Sequence, residues 1–105
     1  MKTNREEKSR PYYEVEVGTP TLTIEHGSKR IMLPYSSFEA AEFREDGSVM
    51  IFFASWIVEV RGKLPPGLWD SLQLFDLRVL RVAEQKDEDG CLIQHLSLLS
   101  RVPAE

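Results

Sequence analysis

The chain has 105 residues, of which 42% are hydrophobic and 29% are charged. This length fits one ordinary domain, and this balance is typical of a globular protein with a core, which excludes a disordered chain. The formal net charge of −4 argues against nucleic acid and anionic membranes as partners, because both repel an acidic protein.

The charge pattern divides the chain into three parts. Residues 1–10 carry both signs of charge and nothing to bury, which predicts a flexible charged tail. Residues 11–100 are expected to form a single β-rich domain, and residues 101–105 a short C-terminal tail.

The sequence predicts no targeting signal. The amino terminus lacks the apolar stretch of a secretory signal, and no apolar run approaches the roughly 20 residues of a membrane span. Cys91 is the single cysteine, so an intrachain disulfide is excluded. We therefore expect a cytoplasmic protein.

Alternating apolar and polar residues predict strands in the first third of the chain, at residues 13–17, 21–26 and 29–34. A two-residue loop of Gly27 and Ser28 predicts a type II′ hairpin, which places Ile24 opposite Ile31. Pro34 ends the third strand or lies at a sheet edge, because proline cannot donate to a strand ladder.

Two further strands are predicted on either side of Asp46-Gly47, a dipeptide typical of two-residue type I′ loops. Such a loop places Phe43 opposite Met50. Residues 49–53 are apolar on both faces, which is typical of a central strand covered on both sides. Residues 56–62 alternate again and predict a strand that ends at Gly62.

Pro66 begins a predicted helix of about three turns, whose apolar stripe is expected to face inward. The stripe consists of Leu68, Trp69, Leu72 and Phe75. Residues 77–83 fit either a longer helix or a strand rich in Val and Leu, and we prefer the strand. Residues 91–99 predict the last strand. The fold class is therefore mainly β (α+β): an antiparallel curled sheet or small barrel of about seven strands, with one amphipathic helix packed over it.

Few residues are candidates for chemistry. The possible metal ligands are His26, Cys91 and His95, but a strand separates the Cα atoms of Cys91 and His95 by about 13 Å, too far to share one zinc ion. The chain has no G-x-S-x-G, P-loop or G-x-G-x-x-G motif. We therefore predict no catalytic, cofactor or metal site, and we expect that the protein is not an enzyme.

Two segments resemble known proteins. The sequence Val58-Glu59-Val60-Arg61-Gly62 resembles the second motif of Sm-like RNA-binding proteins, which implies a ring-forming β barrel, although here a helix is predicted where that family has a strand. Residues 51–82 combine Phe-Ala-Ser, Arg-Gly-Lys, a helix and Arg-Val-Leu-Arg-Val. This order resembles small bacterial proteins of unknown function, which implies the β-rich architecture and no particular activity.

Three functions are compatible with these patterns. The first is a non-enzymatic protein-binding or self-assembly module, such as a homodimer, with Met32 and Ile57 as candidate interface residues at outward strand positions. The second is a nucleic-acid-binding small β barrel, in which one rim holds Lys29, Arg30, Arg61 and Lys63. The third is an enzyme with a pocket under the helix. The many apolar side chains favour the first.

Overall fold

The computed structural model describes residues 12–83, 85–88 and 90–101, and within them lie eight strands and one α-helix. The strands are β1 (Tyr13–Val15), β2 (Thr21–His26), β3 (Lys29–Pro34), β4 (Phe38–Phe43), β5 (Val49–Phe53), β6 (Trp56–Lys63), β7 (Leu77–Arg81) and β8 (Leu92–Ser100), and the helix, α1, covers Pro66–Gln73. The tail predicted at residues 1–10 lies outside the described residues, as does most of the one predicted at 101–105.

The strands form two four-stranded sheets. The first sheet has the order β1-β7-β2-β3, and the second has the order β4-β5-β6-β8. All neighbours are antiparallel except β2 and β7, which run parallel. The prediction of a mainly β fold with one helix is confirmed. The described strands number eight instead of about seven, and they form two sheets where we expected one curled sheet or a closed barrel.

Two connections explain why the strands divide. Pro34 ends β3, and the 3-10 turn Tyr35–Ser37 then leads the chain into the second sheet. After β6, α1 returns the chain to the first sheet, where β7 inserts between β1 and β2. The long connection from β2 to β7 allows these two strands to run parallel.

One core joins the two sheets and the helix. Its fully buried side chains include Ile24 from the first sheet, Ile51 from the second, and Leu68 and Leu72 from α1. Burial of each such side chain stabilises the fold by about 1.5–3 kcal/mol. The helix is therefore fixed to the core along one side, which leaves its flank to the surface.

The hairpin between β2 and β3 confirms the predicted register. Ile24 lies opposite Ile31, and the loop places Gly27 at a φ of 61° while Ser28 has no positive φ. One positive φ at the first loop position is the signature of a type II′ turn. Local turn chemistry was sufficient to set this register.

The hairpin between β4 and β5 differs from its prediction by one residue. Phe43 lies opposite Val49 and not Met50, because the loop has three residues. The Gly47 N–H donates to the Arg44 carbonyl, and Gly47 has a φ of 88°, as in a type I turn followed by a glycine bulge. Asp46 supports this turn, because its carboxylate accepts the Ser48 N–H at 2.9 Å. The shift places Phe43 on the same sheet face as the buried Val49.

Three element boundaries also differ from the predictions. β1 ends at Val15, and Val17 is exposed in the turn that follows. β6 continues past Gly62 to Lys63, because a bulge at Gly62 keeps the strand paired with β8. α1 has eight residues, about two turns, instead of three. The preferred assignment of a strand after the helix is confirmed by β7.

An alternating row of charges crosses one face of the first sheet. Arg81 Nη2 lies 2.6 Å from Glu14 Oε2, and Arg81 Nε lies 3.0 Å from Glu25 Oε1. Arg30 Nε continues the row at 3.8 Å from Glu25 Oε2. The hydrogen bonds from Arg81 hold the pKa of Glu14 and of Glu25 below its ordinary value. The charged side chains on this face are therefore largely paired with one another, although Met32 is exposed on the same face.

We predict that Gly62→Ala destabilises the protein strongly. A Cβ atom at Gly62 would lie 2.3 Å from the Leu92 carbonyl oxygen, so the bulge between β6 and β8 would have to open. The expected loss in the free energy of unfolding, measured by urea denaturation, is more than about 2 kcal/mol. Gly47→Ala is the matched control, because its Cβ meets no atom within 4 Å and adds only backbone strain of about 1 kcal/mol. Equal losses in the two variants would contradict the prediction.

Candidate functional site

Large exposed apolar side chains gather around α1. Phe43 from β4 is 59% exposed, and Leu74 and Phe75, which end the helix, are 63% and 39% exposed. The other described examples lie elsewhere on the fold and are Val17, Met32, Val82 and Leu99. Contiguous exposed apolar surface marks interaction sites more often than scattered single residues do.

Two depressions flank Trp69 between α1 and β4. The larger has a volume of about 400 Å³, and its lining includes Phe43, Val49, Leu64, Pro65, Trp69 and Asp70. The smaller has a volume of about 310 Å³, and its lining consists of Phe38, Ala41, Trp69, Leu72, Gln73 and Phe75. Trp69 borders both, so the two depressions and the indole ring between them are called the Trp69 groove below.

The helical repeat explains why Trp69 is half-buried. Leu68 and Leu72 are four residues apart and face the core, so Trp69, one position further, lies on the flank of the helix. The ring of Phe43 meets the indole edge-on, with ring centroids 6.0 Å apart. The expectation of an inward stripe therefore holds for Leu68 and Leu72, whereas Phe75 is a surface residue.

The carboxyl end of α1 is a Schellman motif closed by a phenylalanine. The Phe75 N–H donates to the Leu72 carbonyl, and the Asp76 N–H donates to the Ser71 carbonyl. Phe75 has a φ of 57°, a left-handed conformation that glycine usually supplies and that costs another residue about 1–2 kcal/mol. Stacking of its ring on Tyr35, at a centroid distance of 4.7 Å, offsets this cost.

Asp76 ties the end of α1 to the turn between β1 and β2. Its side chain is 7% exposed, and its Oδ1 accepts the Gly18 N–H at 3.1 Å. Its main-chain carbonyl accepts the Glu16 N–H at 2.7 Å. The Tyr35 hydroxyl donates to the Leu77 carbonyl at 2.5 Å, and burial raises the pKa of that hydroxyl. These bonds hold α1 in one position relative to both sheets.

The surroundings of the groove are acidic. Asp70 lines the larger depression, and neither it nor Glu45, in the loop after β4, forms an ion pair within the described residues. The two glutamates of β4 each have a basic neighbour, Arg101 at 2.6 Å from Glu39 and Arg44 at 2.8 Å from Glu42. Arg44 and Arg101 are therefore already paired, and neither forms an ion pair with Asp70 or Glu45 in the part of the chain that the structure describes.

The structure places the predicted interface residues on different sheets. Met32 is 69% exposed on β3, an edge strand of the first sheet. Ile57 is half-buried on β6 of the second sheet, where the register sets it between Phe52 and Leu99. The two residues are thus not parts of one strand or one sheet face, and their roles stay predictions.

The predicted nucleic-acid rim is also divided between the sheets. Lys29 and Arg30 begin β3, whereas Arg61 and Lys63 end β6. Arg61 is held by Glu59 at 2.8 Å, and that hydrogen bond raises the pKa of its guanidinium. A carboxylate beside the base weakens its attraction for phosphate. Nucleic-acid binding stays a prediction.

Metal-binding groups and buried ionisable pairs are the features of the described residues that bear on catalysis. In those parts of the chain, no group of three or more His, Cys, Asp or Glu residues is placed to hold a metal ion. Tyr12 donates to the Asp87 carboxylate at 2.5 Å, but its ring is completely buried, and burial is the main reason that its pKa is raised. That hydrogen bond links the residue before β1 to the turn before β8. No described helix is long and apolar enough to cross a membrane.

Comparisons with protein-family models, with curated proteins and with solved structures give no match for this chain. The function must therefore be argued from the chemistry of the site alone. From the sequence, Trp69 and Phe75 were expected to face inward from the helix, and Phe43 was predicted only as a strand residue. Trp69 was also one of the large apolar residues of which some were expected to be exposed. The one available signal was the large number of apolar side chains in so small a domain.

We predict that Phe75→Gly is more stable than Phe75→Ala. Both variants lose the ring contacts with Tyr35 and Phe38. Both keep the left-handed backbone at this position, but that conformation is strained for alanine and unstrained for glycine. The difference in the free energy of unfolding is expected to be about 1 kcal/mol in favour of glycine. Urea denaturation of the two proteins measures it, and an alanine variant as stable as the glycine variant would show that the position is unstrained.

Proposed function

We propose that the protein is a non-enzymatic protein-binding module, and that it receives apolar side chains of a partner polypeptide in the Trp69 groove. The observation that supports this most is the half-buried Trp69 with an open apolar depression on each side. Tryptophan and other aromatic residues dominate the binding energy of protein interfaces, where they fill or border pockets for the anchors of the partner.

The shape and lining of the groove favour a polypeptide over a small molecule. A small-molecule site normally brings several polar groups together to orient its ligand. Asp70 is the one charged side chain among the residues that line the larger depression, and it lies at the solvent-exposed rim. Two shallow apolar hollows side by side instead fit two neighbouring side chains of one chain.

The strain at Phe75 supports the same proposal. A residue keeps an unfavourable backbone conformation only where its surroundings enforce it, and such positions cluster at functional sites. Phe75 borders the smaller depression, so the phenylalanine supplies an aromatic wall that the usual glycine would not. The same ring packs on Tyr35 and Phe38, so it fixes the end of the helix and borders the depression at once.

A peptide selection tests the proposed function. We expect that peptides selected for binding from a random-sequence library bind at least about tenfold more weakly to Trp69→Ala and to Phe43→Ser, because both variants remove an aromatic border of the groove. Phe43 is well exposed, so Phe43→Ser tests the groove even if Trp69→Ala folds poorly. Affinities are measured by isothermal titration calorimetry.

The control for this selection is Leu99→Ser. Leu99 is exposed to a similar extent as Phe43 but belongs to β8, at the opposite edge of the second sheet from β4. This variant is expected to bind the selected peptides with unchanged affinity. Peptides that depend on Leu99 and are indifferent to Trp69 and Phe43 would exclude the groove as the binding site.

Self-assembly through the second sheet is a second candidate function, supported by one observation. The register aligns four apolar side chains from neighbouring strands in one row, namely Ala40, Phe52, Ile57 and Leu99. Such a row could bury itself against the same row of a second copy about a two-fold axis.

We predict for this second candidate that Ile57→Asp converts a dimer into a monomer. A charge in the middle of the row would be desolvated by a second copy, which disfavours association. Light scattering after size-exclusion chromatography measures the mass, which for one chain is 12.1 kDa. A wild-type mass of one chain, or a dimer that survives the substitution, would rule out this interface.

A further inference from the structure

We infer that the partner segment is an extended strand that pairs with the free edge of β4. Its basic side chains face Glu39 and Glu42, and its apolar side chains enter the Trp69 groove. This inference rests on the proposed function. It names the conformation and the charge pattern of the partner, neither of which the groove alone determines.

The main chain of β4 is open on one side. Among the described strands β4 pairs only with β5, so its other side is a sheet edge. The Arg44 N–H donates to the Ser48 carbonyl, which orients Arg44 toward β5. Because orientation alternates along an antiparallel strand, Phe43 and Ala41 direct their N–H and C=O groups away from β5. An edge of this kind is the template for strand addition.

The same two residues, Phe43 and Ala41, border the groove. Phe43 lines the larger depression, and Ala41 lines the smaller one. A strand paired with β4 would place its own side chains directly beside those of Phe43 and Ala41, on the groove side of the sheet. Residues two apart in a strand are about 6.8 Å apart, which suits one side chain in each depression. Main-chain pairing and side-chain docking therefore require the same alignment.

The other side of β4 carries two carboxylates that complement a basic partner. Glu42 lies opposite Met50, on the sheet face away from the groove. Glu39 contacts Arg101, whose guanidinium lies over the ring of Phe52 on that same face. Each of these carboxylates gives one oxygen, Oε1, to its own arginine, and its side chain is at least half exposed, so a second base can approach it. The alternate residues of an added strand would lie beside Glu39 and Glu42, where opposite charges stabilise a cross-strand pair. The partner that fits best alternates apolar and basic residues.

A second copy of this chain fits the edge poorly in the register that the sequence of β4 suggests. The sequence of β4, Phe-Glu-Ala-Ala-Glu-Phe, reads the same in both directions. Two copies paired antiparallel with Phe38 opposite Phe43 would set Glu39 opposite Glu42, and like charges in that position destabilise a sheet. In this register the glutamates therefore disfavour self-pairing, while they leave the edge open to a basic partner.

The test of the strand uses a groove-binding peptide from the random-sequence library, methylated at one main-chain nitrogen at a time. Strand pairing predicts that methylation at every second residue weakens binding about tenfold or more, because only alternate N–H groups donate to β4. Methylation at the residues between is expected to have little effect. Losses without this alternation would overturn the inference.

The test of the charge pattern uses Glu42→Lys with Glu88→Lys as its control. Both change the net charge equally, but Glu88 lies in the exposed turn between β7 and β8. We expect Glu42→Lys to weaken binding about fivefold or more and Glu88→Lys to change it less than about twofold, since only Glu42 adjoins the added strand. Equal effects of the two variants would overturn the inference.

The outcomes separate the two levels of the proposal. One outcome is that peptide binding depends on Trp69 and Phe43, but methylation shows no alternation and Glu42→Lys has no effect on affinity. This result would leave the proposed function intact and overturn the inference that the partner binds as a strand. Peptides whose affinity is the same for wild type, Trp69→Ala and Phe43→Ser would exclude the groove as the binding site. A wild-type protein of twice the chain mass that becomes monomeric in Phe43→Ser would show that a second copy occupies the edge, and this would also overturn the basic partner.

Discussion

The left-handed backbone at Phe75 is the constraint on which the position of α1 depends. It turns the chain sharply out of the helix, so that Asp76 can bond to the turn after β1 and β7 can enter the first sheet. The helix therefore covers the core with Leu68 and Leu72 and leaves Trp69 at its flank, facing β4. The groove is a consequence of where the helix is made to end.

The period of two along β4 connects the fold to the proposed function. In a strand, the residues that direct their main-chain groups to one side also direct their side chains to one face. Ala41 and Phe43 have the free main-chain groups at the sheet edge, and their side chains border the groove. A single alignment of a partner strand can thus satisfy hydrogen bonds, apolar anchors and charges together.

The sequence predicted those parts of the fold that local chemistry decides. Gly27 and the flanking apolar residues set the β2–β3 register, and Pro66 marked the start of α1. Asp46-Gly47 misled the prediction, because the same dipeptide suits both a two-residue loop and a glycine bulge. Insertion of β7 between β1 and β2 depends on contacts about 60 residues apart along the chain, which no local pattern reveals.

The candidate site was harder to predict than the fold. In the sequence, the aromatic residues of the site resemble core residues. Helical spacing predicted that Phe75 faces inward, because local preference gives no reason to expect a phenylalanine in the left-handed conformation that ends the helix. Met32 was correctly judged to point outward, but exposure alone did not locate a groove. Grooves arise where separate elements meet, here α1 and β4, and their relative position is known only from the tertiary structure.

The most direct test of the central claim is a nuclear magnetic resonance titration of isotope-labelled protein with a library-selected peptide. Binding in the Trp69 groove predicts that the largest shifts occur at the Trp69 indole N–H and at the main-chain amides of Ala41 and Phe43. Shifts concentrated at Ile57 and Leu99, or at Lys29 and Arg30, with the Trp69 indole unchanged, would contradict the account and place binding on another face.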